Sequence, residues 1–175
     1  MELDHLQRER FPDGPVHTRL KRVLMTQDGS TTRLCAAVAA DAGAPLELQL
    51  MLQERRDSVP PAVATALGGS GWLVRITSLH ARGQVLMDNL SFTRLDTVPA
   101  WFLEELDRGL APIGKLLDSL YVRREPAPAS PEIESLLWDR TGQPHRKASR
   151  SYLVRMPEAP LMYIFETWRG AIATL

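Results

Sequence analysis

The sequence predicts an α+β fold, a single antiparallel sheet with helices packed on it. Three observations carry that reading. Leu46, Leu48, Leu50 and Leu52 alternate with Glu47, Gln49, Met51 and Gln53, the period of two expected of a half-buried strand with one face covered. Two further strand-like runs, Trp72 to Leu79 and Gln84 to Phe92, flank the tight turn His80-Ala81-Arg82-Gly83, where Gly83 can supply a positive φ. The hairpins are interrupted by helices without regular strand–helix alternation, which argues against a parallel sheet.

The elements follow in order. The first 17 of 175 residues are polar and end at Pro12-Asp13-Gly14-Pro15, so they read as an arm, leaving one domain over residues 18–175. After the short apolar piece Val23-Leu24-Met25, Ser30 is placed to cap a helix from Thr31 to Ala42, closed by Gly43. Cys35 packs in that helix as a small hydrophobe. Pro60-Pro61 opens a short helix ending at Gly68-Gly69. Asp96, Thr97 and Pro99 start another over Trp101 to Arg108, ended by Gly109, and a third, Ile113 to Leu120, follows Pro112. Leu120 to Arg124 is strand-like, Glu125 to Pro131 reads as a Pro-rich loop, and Glu132 to Trp138 as a helix. Arg150 to Met156 and Leu161 to Trp168 complete the strands, with Pro157 and Pro160 bracketing their turn. No internal repeat is visible.

Lys and Arg total 21, matched by 21 Asp and Glu, and this balance argues against a general nucleic-acid or anionic-membrane binder. One cysteine, no CxxC or HExxH spacing and four scattered histidines argue against a metal site. No apolar run reaches the roughly 18 residues of a membrane span, and the N-terminus lacks a signal-peptide core, so cytoplasm is the expected compartment. Monomer and homodimer are both compatible with the sequence.

Two charged residues stand out because they interrupt apolar strands. Glu166 shares a face with Met162, Ile164 and Trp168, and both faces of that strand are hydrophobic. Burial of this kind raises a carboxyl pKa unless something binds the group; a salt bridge to an arginine on a neighbouring strand is the alternative. Arg75 lies among Leu73, Thr77 and Leu79, either as the partner of Glu166 or as a fork for a carboxylate ligand. Pro112-Ile113-Gly114-Lys115 starts a helix, where backbone N–H groups favour an anion. Arg140, His145, Arg146, Lys147 and Arg150 form a basic run that reads as a solvated face.

Five ordered segments carry a family resemblance. They are Leu24-Met-Thr-Gln-Asp-Gly-Ser-Thr-Thr-Arg33, Trp72-Leu-Val-Arg75, Pro112-Ile-Gly-Lys-Leu116, Arg146-Lys-Ala-Ser-Arg150 and Pro160-Leu-Met-Tyr-Ile-Phe-Glu166. Together, between Thr18 and Trp168, they resemble the chorismate pyruvate-lyases, also called 4-hydroxybenzoate synthases. The resemblance implies a chorismate-lyase-like fold with an enclosed pocket and cofactor-free cleavage of chorismate, or a close relative, to 4-hydroxybenzoate and pyruvate. It implies that Arg75 holds the ring carboxylate and Glu166 meets the 4-hydroxyl, as acid, base or anchor. It also places the Ile113 backbone amide and Ser30 at the ligand. Asn89 stands where some members carry a second arginine, a deficit that Lys115, Arg150 or Arg146 would offset. The chain also lacks the usual apolar Leu-Pro tail.

The expected partner is therefore a small aromatic or chorismate-like acid, with no nucleic acid and no membrane. The alternatives are a non-catalytic aromatic-acid sensor of the same fold and a diverged lyase or hydrolase of specialised biosynthesis.

Overall fold

Arg82 and Gly83 both take positive φ, 51° and 73°, between the paired residues Ala81 and Gln84. This two-residue turn matches the twist of the strands it joins, and from it the sheet is built outward. The computed structural model describes residues 6–145 and 147–175; the first five residues of the expected arm and Arg146 lie outside them. Six strands, β1 (Glu47–Arg56), β2 (Trp72–Ala81), β3 (Gln84–Arg94), β4 (Arg123–Pro126), β5 (Ser149–Arg155) and β6 (Pro160–Trp168), pair in the order β1-β2-β3-β6-β5-β4. All five pairings are antiparallel. The fold is thus α+β on a single antiparallel sheet.

Helices cover both faces, more than the one-sided alternation of β1 implied. That strand is an edge with a register shift between Leu50 and Leu52, so its alternation does not report on the central strands. On one face, α3 (Pro61–Leu67) and α6 (Pro131–Thr141) bury Val63, Leu67, Ile133 and Leu137 against Val74, Phe92, Tyr163 and Phe165. On the other lie α2 (Thr31–Asp41), α4 (Ala100–Arg108) and α5 (Ile113–Leu117), with Phe102, Leu106 and Leu116 against Leu73, Val154 and Ile164. Ser30 caps α2 through its side chain, accepting from the Arg33 N–H at 3.3 Å. Gly109, at φ 72°, ends α4 in the left-handed conformation.

Several expectations are corrected. Residues 15–26 form a helix, α1 (Pro15–Thr26), which begins inside the expected arm; Leu24 is buried on it with Leu20 and Met25 packed beside it, a helical spacing that the reading as a polar arm missed. Arm residues also pack: Phe11 is 2% exposed, and Gln7 bridges Gln84 beside the hairpin. α5 stops at Leu117 rather than Leu120, and β4 begins at Arg123 and runs into the expected loop. As an edge strand it accommodates Pro126, which has no N–H to donate. α6 runs on to Thr141, and a last turn, α7 (Ala171–Thr174), follows β6. The order β1-α3-β2-β3 is repeated as β4-α6-β5-β6, although the sequence shows no repeat. Pairing needs only compatible faces and turns, so topology can repeat where residues do not.

Candidate functional site

The helical cap over the centre of the sheet positions the site. On that face the register aligns Arg75 of β2 with Ser91 of β3, Ile164 of β6 and Tyr152 of β5. The neighbouring row holds Thr77, Asn89, Glu166 and Arg150. Arg75 and Glu166 therefore share a face two strands apart, with Cα atoms separated by about 12 Å on standard sheet spacings.

Arg75 is 1% exposed. Its Nη2 donates to the Gly109 and Ala111 carbonyl oxygens, each at 3.2 Å. Its Nε and Nη1 are buried with no acceptor, and no carboxylate lies within ion-pair distance among the described residues. Burial lowers its pKa from 12.5 to about 10. A shift of that size corresponds to roughly 3 kcal/mol disfavouring the buried cation. Beside it, the Ser91 Oγ and Asn89 Oδ1 are also buried without partners.

Glu166 is differently placed. It is fully buried, and its Oε1 accepts from Arg150 Nε at 2.6 Å while Oε2 accepts from the Tyr152 hydroxyl at 3.1 Å. Burial pushes its carboxyl up, and Arg150, Tyr152 and Thr31 pull it only part of the way back. The Tyr152 hydroxyl is pushed up in turn, by burial and by the neighbouring Glu166. Arg75 is thus not the partner of Glu166; Arg150, on the adjacent strand, is. Arg150 also donates from Nη1 to the Gln27 carbonyl, so it does not belong to a solvated basic face. In that basic run, His145 meets Asp13 at 2.7 Å, and Arg140 and Lys147 are exposed.

Between sheet and cap, α2 and α5 leave a cavity whose water-accessible volume is about 20 Å³, room for about one water. Thr77, Asn89, Tyr152 and Ile164 line it from the sheet, Thr31 and Ile113 from the cap. Neither Arg75 nor Glu166 is among the lining residues. Of the other residues singled out in sequence, Ser30 is half-buried at the α2 cap and Lys115 is exposed on α5. Arg150 lines a separate cleft of about 170 Å³ with Gln27, Arg124 and Tyr152. Ser91, Thr77 and Tyr152 went unflagged in the sequence; the parity of Thr77 with Arg75 along one strand was the available signal.

No family model matches the chain, and no curated protein matches it in sequence. Among solved structures it is similar to PhnF from Mycobacterium smegmatis, at 14% identity and a TM-score of 0.48, over 83% of this chain and 65% of that one. It is similar to the C-terminal domain of the histidine utilization repressor from Pseudomonas syringae pv. tomato, at 12% identity and a TM-score of 0.46, over 74% and 95%. A GntR-family transcriptional regulator from Bacillus cereus aligns at 11% identity and a TM-score of 0.45, over 71% and 91%. Likenesses this distant carry no weight for function, which has to be argued from the side chains. Among the described residues, no helix is long and apolar enough to cross a membrane.

Proposed function

We propose that this chain is a small-molecule-binding domain that takes up an aromatic carboxylic acid through Arg75 and does not cleave it. The supporting observation is the Arg75 guanidinium itself, buried in the sheet with two nitrogens, Nε and Nη1, unpaired and no carboxylate beside it among the described residues. An incoming carboxylate would accept from the free Nε–H and offset the cost of the buried charge. Asn89, with its side-chain oxygen unpaired on the cavity wall, offers an acceptor to a ligand hydroxyl, and the Ile113 amide lies at the start of α5 beside it. The small cavity means that α2 and α5 part to admit a ring.

Glu166 argues for binding over turnover. Its two oxygens are already engaged by Arg150 and Tyr152, so a proton-transfer role requires breaking a buried pair. The lyase reading has one point in its favour: burial raises the Glu166 carboxyl, the direction a general acid requires. Calorimetry with 4-hydroxybenzoate and a pyruvate assay with chorismate separate the two readings. The expected result is binding that weakens at least tenfold in Arg75→Met, and no pyruvate above the spontaneous background. Pyruvate release lost in Glu166→Gln would reinstate the lyase, and failure of both ligands to bind would sink both readings.

A further inference from the structure

The registers of the two hairpins define an internal two-fold. Arg75 opposite Ser91 becomes Arg150 opposite Glu166 when 75 is added to each number (150 less 75, 166 less 91), and Thr77 opposite Asn89 becomes Tyr152 opposite Ile164. The same offset carries Leu79 opposite Met87 onto Val154 opposite Met162. Since β3 and β6 are antiparallel neighbours at the centre, the axis passes between them, normal to the sheet.

Contacts outside the strands obey the same relation. Arg75 donates to Gly109 and Ala111, in the turn that feeds α5. Arg150 donates to Gln27, in the turn that feeds α2. Helices α2 and α5 meet each other at Thr32 and Gly114, and α3 and α6 lie together on the opposite face. The cavity is lined by the mates Thr77 and Tyr152 and by the mates Asn89 and Ile164, so it spans the axis, extending further toward Leu79 and Met87.

We propose that Arg75 and Arg150 are equivalent carboxylate receptors, that Glu166 fills the second from within, and that Ser91 leaves the first open for a ligand. Glu166 is then an internal image of the bound ligand, and it shows where the ligand carboxylate sits: on the strand beside Arg75, over Ser91, reaching the guanidinium as Glu166 Oε1 reaches Arg150 Nε at 2.6 Å. The Ser91 side chain is shorter than the glutamate at the equivalent place, and its unpaired Oγ offers one more donor to the same carboxylate. This rests on the reading of Arg75 as a ligand receptor and adds Ser91 as the residue that keeps it available.

Ser91→Glu tests the equivalence without any ligand, with Ser91→Gln as a control of the same size. The introduced carboxylate meets Arg75, so Ser91→Glu unfolds at a higher urea midpoint than Ser91→Gln and moves the Arg75 Nε–H resonance. It also weakens 4-hydroxybenzoate at least tenfold. A glutamine variant as stable as the glutamate variant, with that resonance unmoved, would overturn the proposal. In the reciprocal change, Glu166→Ser frees Arg150, and formate then raises the melting temperature of this variant more than that of the wild type. No such rescue in a folded Glu166→Ser variant would also overturn it, and if that variant does not fold, the Ser91 pair decides alone. Failure of the wild type to bind 4-hydroxybenzoate, with the Ser91 stability difference intact, would refute the ligand and leave the equivalence standing.

Discussion

Arg150 and Glu166 form the tightest coupling at the site, and its response to pH has a definite sign. Burial raises the Glu166 carboxyl above its usual value of 4.5, so the folded state keeps the proton to higher pH than the unfolded chain. The group's contribution to stability therefore declines as pH climbs through that window from about 4.5 upward. Removing Arg150 deletes the largest influence holding the carboxyl down and leaves a charge unpaired in the core. We expect Arg150→Met to cost little near pH 4, below even the usual carboxyl value of 4.5, and about 3 kcal/mol near pH 8. Urea unfolding of variant and wild type at the two pH values measures this; equal losses at both would contradict the ionised pair. The sequence marked Arg75 and Glu166 because each breaks an apolar strand face. It offered Arg150 as a ligand cation and as part of a solvent-facing basic run, not as the partner of Glu166, and it hid Ser91, since a small hydroxyl disturbs no pattern.

Elements with strong local signals were legible, and those held by packing were not. Ser30 and Gly109 mark helix ends through capping and left-handed geometry, and the structure places α2 and α4 accordingly. α1, with one buried residue, and the four-residue α7 depend on the surfaces they rest on. The contact of α2 with α5 depends on a glycine. A Cβ at Gly114 would lie 2.3 Å from Thr32 Oγ1 and 2.8 Å from Thr32 Cβ, too close for the helices to stay in place. Gly114→Ala is expected to destabilise the fold by about 1–3 kcal/mol, with Thr32→Ala in the same chain restoring part of the loss. Full stability of the single variant in denaturant titration would mean that the two helices are already free to separate. That separation is what the small cavity requires of ligand uptake, and a five-residue helix such as α5 opens at low cost.

At the scale of the molecule, formal neutrality conceals an uneven distribution of paired charge. Asp88, fully buried, accepts from Arg169 Nε at 2.6 Å and lies 3.4 Å from Arg8, so one carboxylate ties both ends of the chain to β3. Arg150 is satisfied by Glu166 in the same manner. Of Arg8, Arg169, Arg150 and Arg75, the last alone has no carboxylate among the described residues, although its place in the fold mirrors that of Arg150. Fold class was readable in the sequence because alternation, hairpin turns and caps are local. The pairing of β3 with β6, and with it the internal two-fold, was not, since it joins segments about 75 residues apart through compatible faces only. On the proposed reading, the unpaired charge at Arg75 is retained for a ligand. Its most direct test is denaturant unfolding of wild type and Arg75→Met, each with and without saturating 4-hydroxybenzoate. The ligand is expected to raise the wild-type midpoint and leave that of the variant unchanged, while the ligand-free variant unfolds no earlier than the wild type. A variant that unfolds earlier without ligand and is still stabilised by it would contradict the claim.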